Sequence, residues 1–195
     1  FGKEIQQSTV VHNLRIEQMS FANEARVRKE EPGLALNSVL AQQMAEKYGL
    51  TTDLRMAHWF GQFAHESKGF TDFEEDLSYR AERLCAVWPK RFPNIASALP
   101  YAWDPNDPDR EDVALANLVY GARMGNQMNG TADDDGWTHR GLGMLQLTGA
   151  DNYLATDKRL GIGLDTNPEL AAVPALSLLI ACDYYRHNQV LELID

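Results

Sequence analysis

Apolar residues along this chain recur at three- and four-residue spacing and seldom alternate, so the pattern predicts helices. The clearest starts at Asp53, where Met56, Trp59, Phe60 and Phe63 share one face of a helix running to about Ser67. Residues 35–47 predict another, with Leu36, Val39, Leu40 and Met44 as its stripe and Gly49 as its stop. Scattered apolar positions within 1–30 (Ile5, Val10, Leu14, Ile16, Met19, Phe21) read as one amphipathic helix ending before Glu31-Pro32-Gly33. Ser78 reads as the N-cap of a helix with Glu82 in its first turn, ending at Trp88 before Pro89. A short helix is expected over about 111–121, and a longer one from near Pro174 to about Gln189. Residues 100–112 read as a loop, and the glycine-rich stretch Gly121 to Gly149 as irregular. The strand candidates are short, Phe70–Phe73 and Met144–Leu147. The pattern shows no repeat and no strand–helix alternation.

Composition narrows this to one domain. A chain of 195 residues that is 44% apolar buries one good core. Its net charge of -10 argues against a nucleic-acid partner, because no basic patch is there to neutralise phosphates. No run of eighteen apolar residues occurs, so no membrane span is expected, and no secretory signal peptide is read at the start. Cys85 and Cys182 sit in apolar helical contexts and read as buried free thiols, with a disulfide as the alternative. Metal and nucleotide chemistry find no support. Asp104 to Asp109 looks like a calcium loop, but Pro108 takes a ligand position and the required glycine is missing. His65-Glu66 has no second histidine at zinc-protease spacing, and neither a nucleophile elbow nor a P-loop is present.

Candidate chemistry lies in two carboxylates. Glu66 and Glu75 stand nine residues apart, with a helix end and Gly69 between them. Three residues past Phe63, Glu66 is expected to extend the apolar stripe, partly desolvated near a negative helix C-terminus. That environment keeps a carboxyl protonated near neutral pH, as a general acid requires. Glu75 follows in an acidic run (Asp72, Glu74, Glu75, Asp76) expected to be wet and ionised. Two acids in contrasting environments are what glycoside hydrolysis uses, although acidic clusters are ordinarily solvated faces.

Four ordered segments sharpen this reading: AHESKGF from Ala64, EEDLSY from Glu74, VYGARMGN from Val119, and DGWTHRGLGMLQLTGADNY from Asp135. Over about residues 36–187 they closely resemble glycoside hydrolase family 19, the chitinase and phage-endolysin family. The resemblance implies a mainly α-helical, lysozyme-like, two-lobed domain with a central substrate cleft and little β structure. It implies Glu66 as general acid, Glu75 as general base and Thr148 as the hydroxyl that helps hold the attacking water. Gln146 and Asn152 match sugar-binding groups, while Tyr120, Arg123, Trp137 and Arg140 match positions lining or supporting the cleft. No metal or other cofactor is implied. Residues 1–33 are expected to be an N-terminal helical extension or linker, and 34–195 the catalytic domain, without the family's usual C-terminal segment. Lys68, Asp76, His139 and Leu142 depart from the family pattern, standing where glycine, asparagine, tyrosine and arginine are usual.

The expected activity is hydrolysis of peptidoglycan β-1,4 bonds by a monomer made in the bacterial cytoplasm and acting on the periplasmic cell wall. Phage endolysin and antibacterial effector are the two settings; an effector would meet an immunity protein or a secretion-system partner. A chitinase acting on chitin oligomers, or a non-catalytic wall-binding module on the same fold, is the alternative.

Overall fold

The computed structural model describes residues 44–106, 108–127 and 135–194; for 108–111 it describes the backbone alone. The helices expected over 1–30 and most of 35–47 lie outside these residues, as does the 1–33 extension; residues 44–47 are helical. Seven α-helices follow: α1 Asp53–Glu66, α2 Ala81–Val87, α3 Ile95–Ala98, α4 Pro108–Tyr120, α5 Asp135–Thr138, α6 Ala150–Leu160 and α7 Pro174–His187. Short 3-10 turns cover Leu99–Tyr101, Pro168–Ala172 and Val190–Leu193. The fold is mainly α, and the described residues form no sheet. Where strands were expected at Phe70–Phe73 and Met144–Leu147, residues 70–73 and 144–146 are turns and irregular chain and Leu147 is a lone bridge residue; an isolated antiparallel bridge joins Glu74 and Leu142.

The chain divides into two compact units. Of the described residues, one takes in those up to Glu74, Leu142–Gln146 and those from Leu154; the other takes in those from Glu75 to Gly141 and Leu147–Tyr153. In the first, α1 starts because Thr52 caps it, its hydroxyl accepting the Arg55 N–H at 3.2 Å, with Asp53 in the first turn. Its buried residues are Trp59 and Phe63, in ring contact with each other, and Phe63 also meets Tyr185 of α7. Phe60 does not join them: it is 45% exposed, with its ring edge against Trp59. Helix α7 opens on Pro174 and is buried almost all round, from Leu176 to Asp183 and at Tyr185. Its one buried carboxylate, Asp183, accepts from Arg159 Nε at 2.7 Å. The backbone at Gly143 has φ +78, and a Cβ there would stand 2.4 Å from the Ala171 carbonyl oxygen and 2.7 Å from Ser177 Oγ. Ser177 Oγ in turn accepts the Met144 N–H at 2.6 Å. Glycine at this position is therefore a packing requirement.

The second unit has its own core of Leu77, Ala81, Leu84, Phe92, Ala98, Leu115, Ala116 and Val119. Helix α2 begins two residues later than an N-cap at Ser78 implies, capped at Arg80 with no side-chain bond. Ser78 N–H is tied to the Asp76 carboxylate instead, which keeps the chain out of a helix there. Helix α3 has a reciprocal capping box between Asn94 and Ser97. Helix α4 starts at Pro108, about one turn ahead of expectation, and leaves a shorter loop. Gly136 of α5 lies so close to α4 that a Cβ would be 2.7 Å from the Ala116 carbonyl oxygen. Helix α6 was not expected at all. Cys85 is half-buried, Cys182 is buried, and both are free thiols. No described helix is long and apolar enough to cross a membrane.

Candidate active site

The second unit carries Glu75, Tyr120, Arg123, Trp137, Arg140, Thr148 and Asn152; Glu66 and Gln146 belong to the first. Glu66 is the last residue of α1 and is exposed, so it does not continue the apolar stripe. The buried series runs Trp59, Phe63, Ser67 at four-residue steps, and Glu66 is one position, about 100°, off that line. Its carboxylate accepts from Gln62 Nε2 at 2.8 Å across one turn. The desolvation expected for it is absent.

Beyond Glu66 the chain reverses. Ser67 is fully buried: its hydroxyl donates to the Phe63 carbonyl at 2.5 Å and accepts the Phe70 N–H at 3.0 Å. Lys68, Gly69 and Phe70 then all take positive φ, +48, +78 and +66. Glycine suits such backbone, so Lys68 holds a conformation that costs an L-residue about 1–2 kcal/mol. It pairs with Asp72 at 2.8 Å on the surface.

Glu75 also corrects its expectation. From Phe73 to Arg80 the chain is non-helical, and every second side chain is withdrawn from solvent. Phe73 and Leu77 are buried, Glu75 and Tyr79 half-buried; Glu74, Asp76, Ser78 and Arg80 are exposed. Glu74 and Asp76 are thus the wet acids of the run, while Glu75, like Asp72, is half-buried. Its Oε1 accepts from the Tyr120 hydroxyl at 2.5 Å and its Oε2 from the Gly141 N–H at 3.2 Å. Its own N–H donates to the Gly141 carbonyl at 2.9 Å. Burial first, then the bond to Glu75, pushes the Tyr120 phenol far above its usual range. The Tyr79 phenol is also pushed up, by burial and then by the Glu75 charge.

The remaining residues divide between exposed groups and supports. Arg123 is exposed, with a long 3.5 Å contact to the Val119 carbonyl. Trp137 is half-buried, its N–H held by Asn117 Oδ1 at 2.7 Å. Arg140 is only 4% exposed and stacks on the Trp137 ring, which makes it a support. Asn152 is exposed and donates from Nδ2 to the Thr148 carbonyl at 2.8 Å. Gln146 has φ +52 and donates from Nε2 to the Gly143 carbonyl at 3.0 Å.

Two contributors escaped the sequence reading. Gly141 acts only through its backbone, and buried Asn126 ties the Tyr120 carbonyl (3.0 Å) to the Ala150 N–H (2.8 Å), joining the end of α4 to the start of α6. Asn126 ends the VYGARMGN segment, which was the available signal. Among the described residues, no group of three or more His, Cys, Asp or Glu is placed to hold a metal ion.

Over 149 residues the chain is 36% identical to a glycosyl hydrolase family 19 domain-containing protein of Haemophilus influenzae, covering 76% of this chain and 69% of the relative. No family model matches the chain. The chain belongs to glycoside hydrolase family 19, whose fold is lysozyme-like and mainly α.

Proposed function

We propose that this domain hydrolyses the β-1,4 bond between N-acetylmuramic acid and N-acetylglucosamine in peptidoglycan, with inversion. Water attacks the anomeric carbon as the bond to the leaving oxygen breaks; Glu75 takes the water's proton and Glu66 protonates the leaving oxygen. Thr148 helps to hold the water, and Gln146 and Asn152 bind sugar beside the scissile bond. The protein is a cell-wall lytic enzyme of the phage-endolysin or antibacterial-effector kind, made in the bacterial cytoplasm and acting in the periplasm. Family membership and the two acids within their motif segments support the reading. The observation that carries it is Glu75, half-buried and held at both oxygens, a provision that a solvated acidic face does not need.

Digestion of purified sacculi tests it. Mass spectrometry should find new reducing ends on N-acetylmuramic acid, and early-time NMR of the products should show the α-anomer. Release of reducing N-acetylglucosamine, or a β-anomer formed first, would contradict the bond or the stereochemistry. Binding without release by folded protein would make the domain a wall-binding module, and cleavage of chitin oligomers alone would make it a chitinase.

A further inference from the structure

We propose that Tyr120 is a positioning residue that fixes the Glu75 carboxylate, and is no sugar contact. The proposal rests on the reading of Glu75 as the general base. The geometry is a clamp: one oxygen takes the Tyr120 hydroxyl, the other the Gly141 N–H, while the Glu75 N–H returns to the Gly141 carbonyl. Two donors on two oxygens fix the plane of the carboxylate. A carboxylate has about four acceptor sites, so each oxygen keeps a lone-pair direction for the proton of a water.

The phenol comes from a rigid place. Tyr120 is the last residue of α4, directly after buried Val119, and the Asn126 side chain holds its carbonyl. The hydroxyl's single proton is committed to Glu75, which leaves the group no donor for a sugar. Since the phenol is held far above its usual range, it stays a donor throughout the working pH range. Among the described residues, the charged and titratable groups that act on the pair include Tyr79, which feels the Glu75 charge, and Arg123, which acts on Tyr120; Arg83 and Asp76 act on Tyr79.

The experiment uses the full chain and soluble, peptide-stripped glycan strands, with Y120F and E75Q compared by kcat and KM. E75Q comes first: inactivity with an intact fold upholds the base assignment, and full activity would remove that reading. Y120F keeps the ring and its packing. Its kcat should fall at least about tenfold with KM nearly unchanged. An unchanged kcat with a raised KM would make Tyr120 a substrate contact, and unchanged kcat and KM would make it merely structural; either overturns the proposal. An activity-free readout covers a Y120F that fails to fold. In an alkaline absorbance titration on a Tyr79→Phe background, which removes the other phenol that feels the Glu75 charge, one phenol should ionise at a lower pH once Glu75 is also replaced by Gln. Superimposable curves would also overturn it.

Discussion

Arg140 lays its guanidinium carbon 4.1 Å from the centre of the Trp137 ring while almost wholly withdrawn from solvent. It also donates from Nη1 to the Trp137 carbonyl at 3.3 Å, and its own carbonyl accepts the Tyr153 hydroxyl at 3.0 Å. A buried cation on an aromatic face contributes about 2 kcal/mol, and truncation adds a cavity. Arg140→Ala should therefore lower unfolding stability by about 2–4 kcal/mol in urea titration. A loss under about 1 kcal/mol would show that the stack holds little of this unit together.

Lys68 offers the opposite test. Replacing it with glycine relieves a left-handed residue, at the cost of extra chain entropy and an exposed ion pair with Asp72. The net should be a gain of about 0.5 kcal/mol, seen as a melting temperature higher by about 1–2 °C. A lower melting temperature would mean that the lysine stem packs better than its exposure implies.

The alternation around Glu75 makes adjacent acids unequal. Glu75→Gln and Glu66→Gln should each cut sacculus digestion at least about a hundredfold without unfolding the protein. Glu74→Gln, which changes an exposed side chain, should leave the rate within about twofold. A Glu74 variant slower than the Glu75 variant would place the base one residue earlier.

Charge predicts an unusual salt response. Peptidoglycan carries anionic peptides, and a chain of net charge -10 is repelled by it at long range. Screening lengths shrink to about 10 Å at 0.1 M salt, so turbidity loss of permeabilised cells should hold or rise from low to moderate salt. A steep fall with the fold intact would point to local attraction through a basic patch such as Lys90 and Arg91.

What the sequence showed and hid follows from how far apart the partners lie. Helix α1 was legible because Thr52, Asp53, Trp59 and Phe63 all lie within a dozen residues, and α7 because Pro174 opens a run of strong apolar residues. Helix α6 was missed because its composition is polar. Its charges were the available signal, Asp151 in the first turn and Lys158 and Arg159 in the last, between Gly149 and Gly161. The environments of the two acids came out reversed: Glu66 is exposed and Glu75 half-buried. For Glu66 the error was a stripe drawn one position wide of the buried line. For Glu75 the deciding partners, Tyr120 and Gly141, are 45 and 66 residues away in sequence, beyond any local pattern.

The alternation from Phe73 to Arg80 also governs how this segment can change length. Adding or removing a single residue just before Glu75 inverts the parity of the chain, presenting an outward acid to the Tyr120 hydroxyl and sending its proper partner into water. A change of two residues restores parity. Among natural variants of this domain, length differences between Phe73 and Glu75 should therefore come in even steps, while single-residue ones should accompany loss of activity.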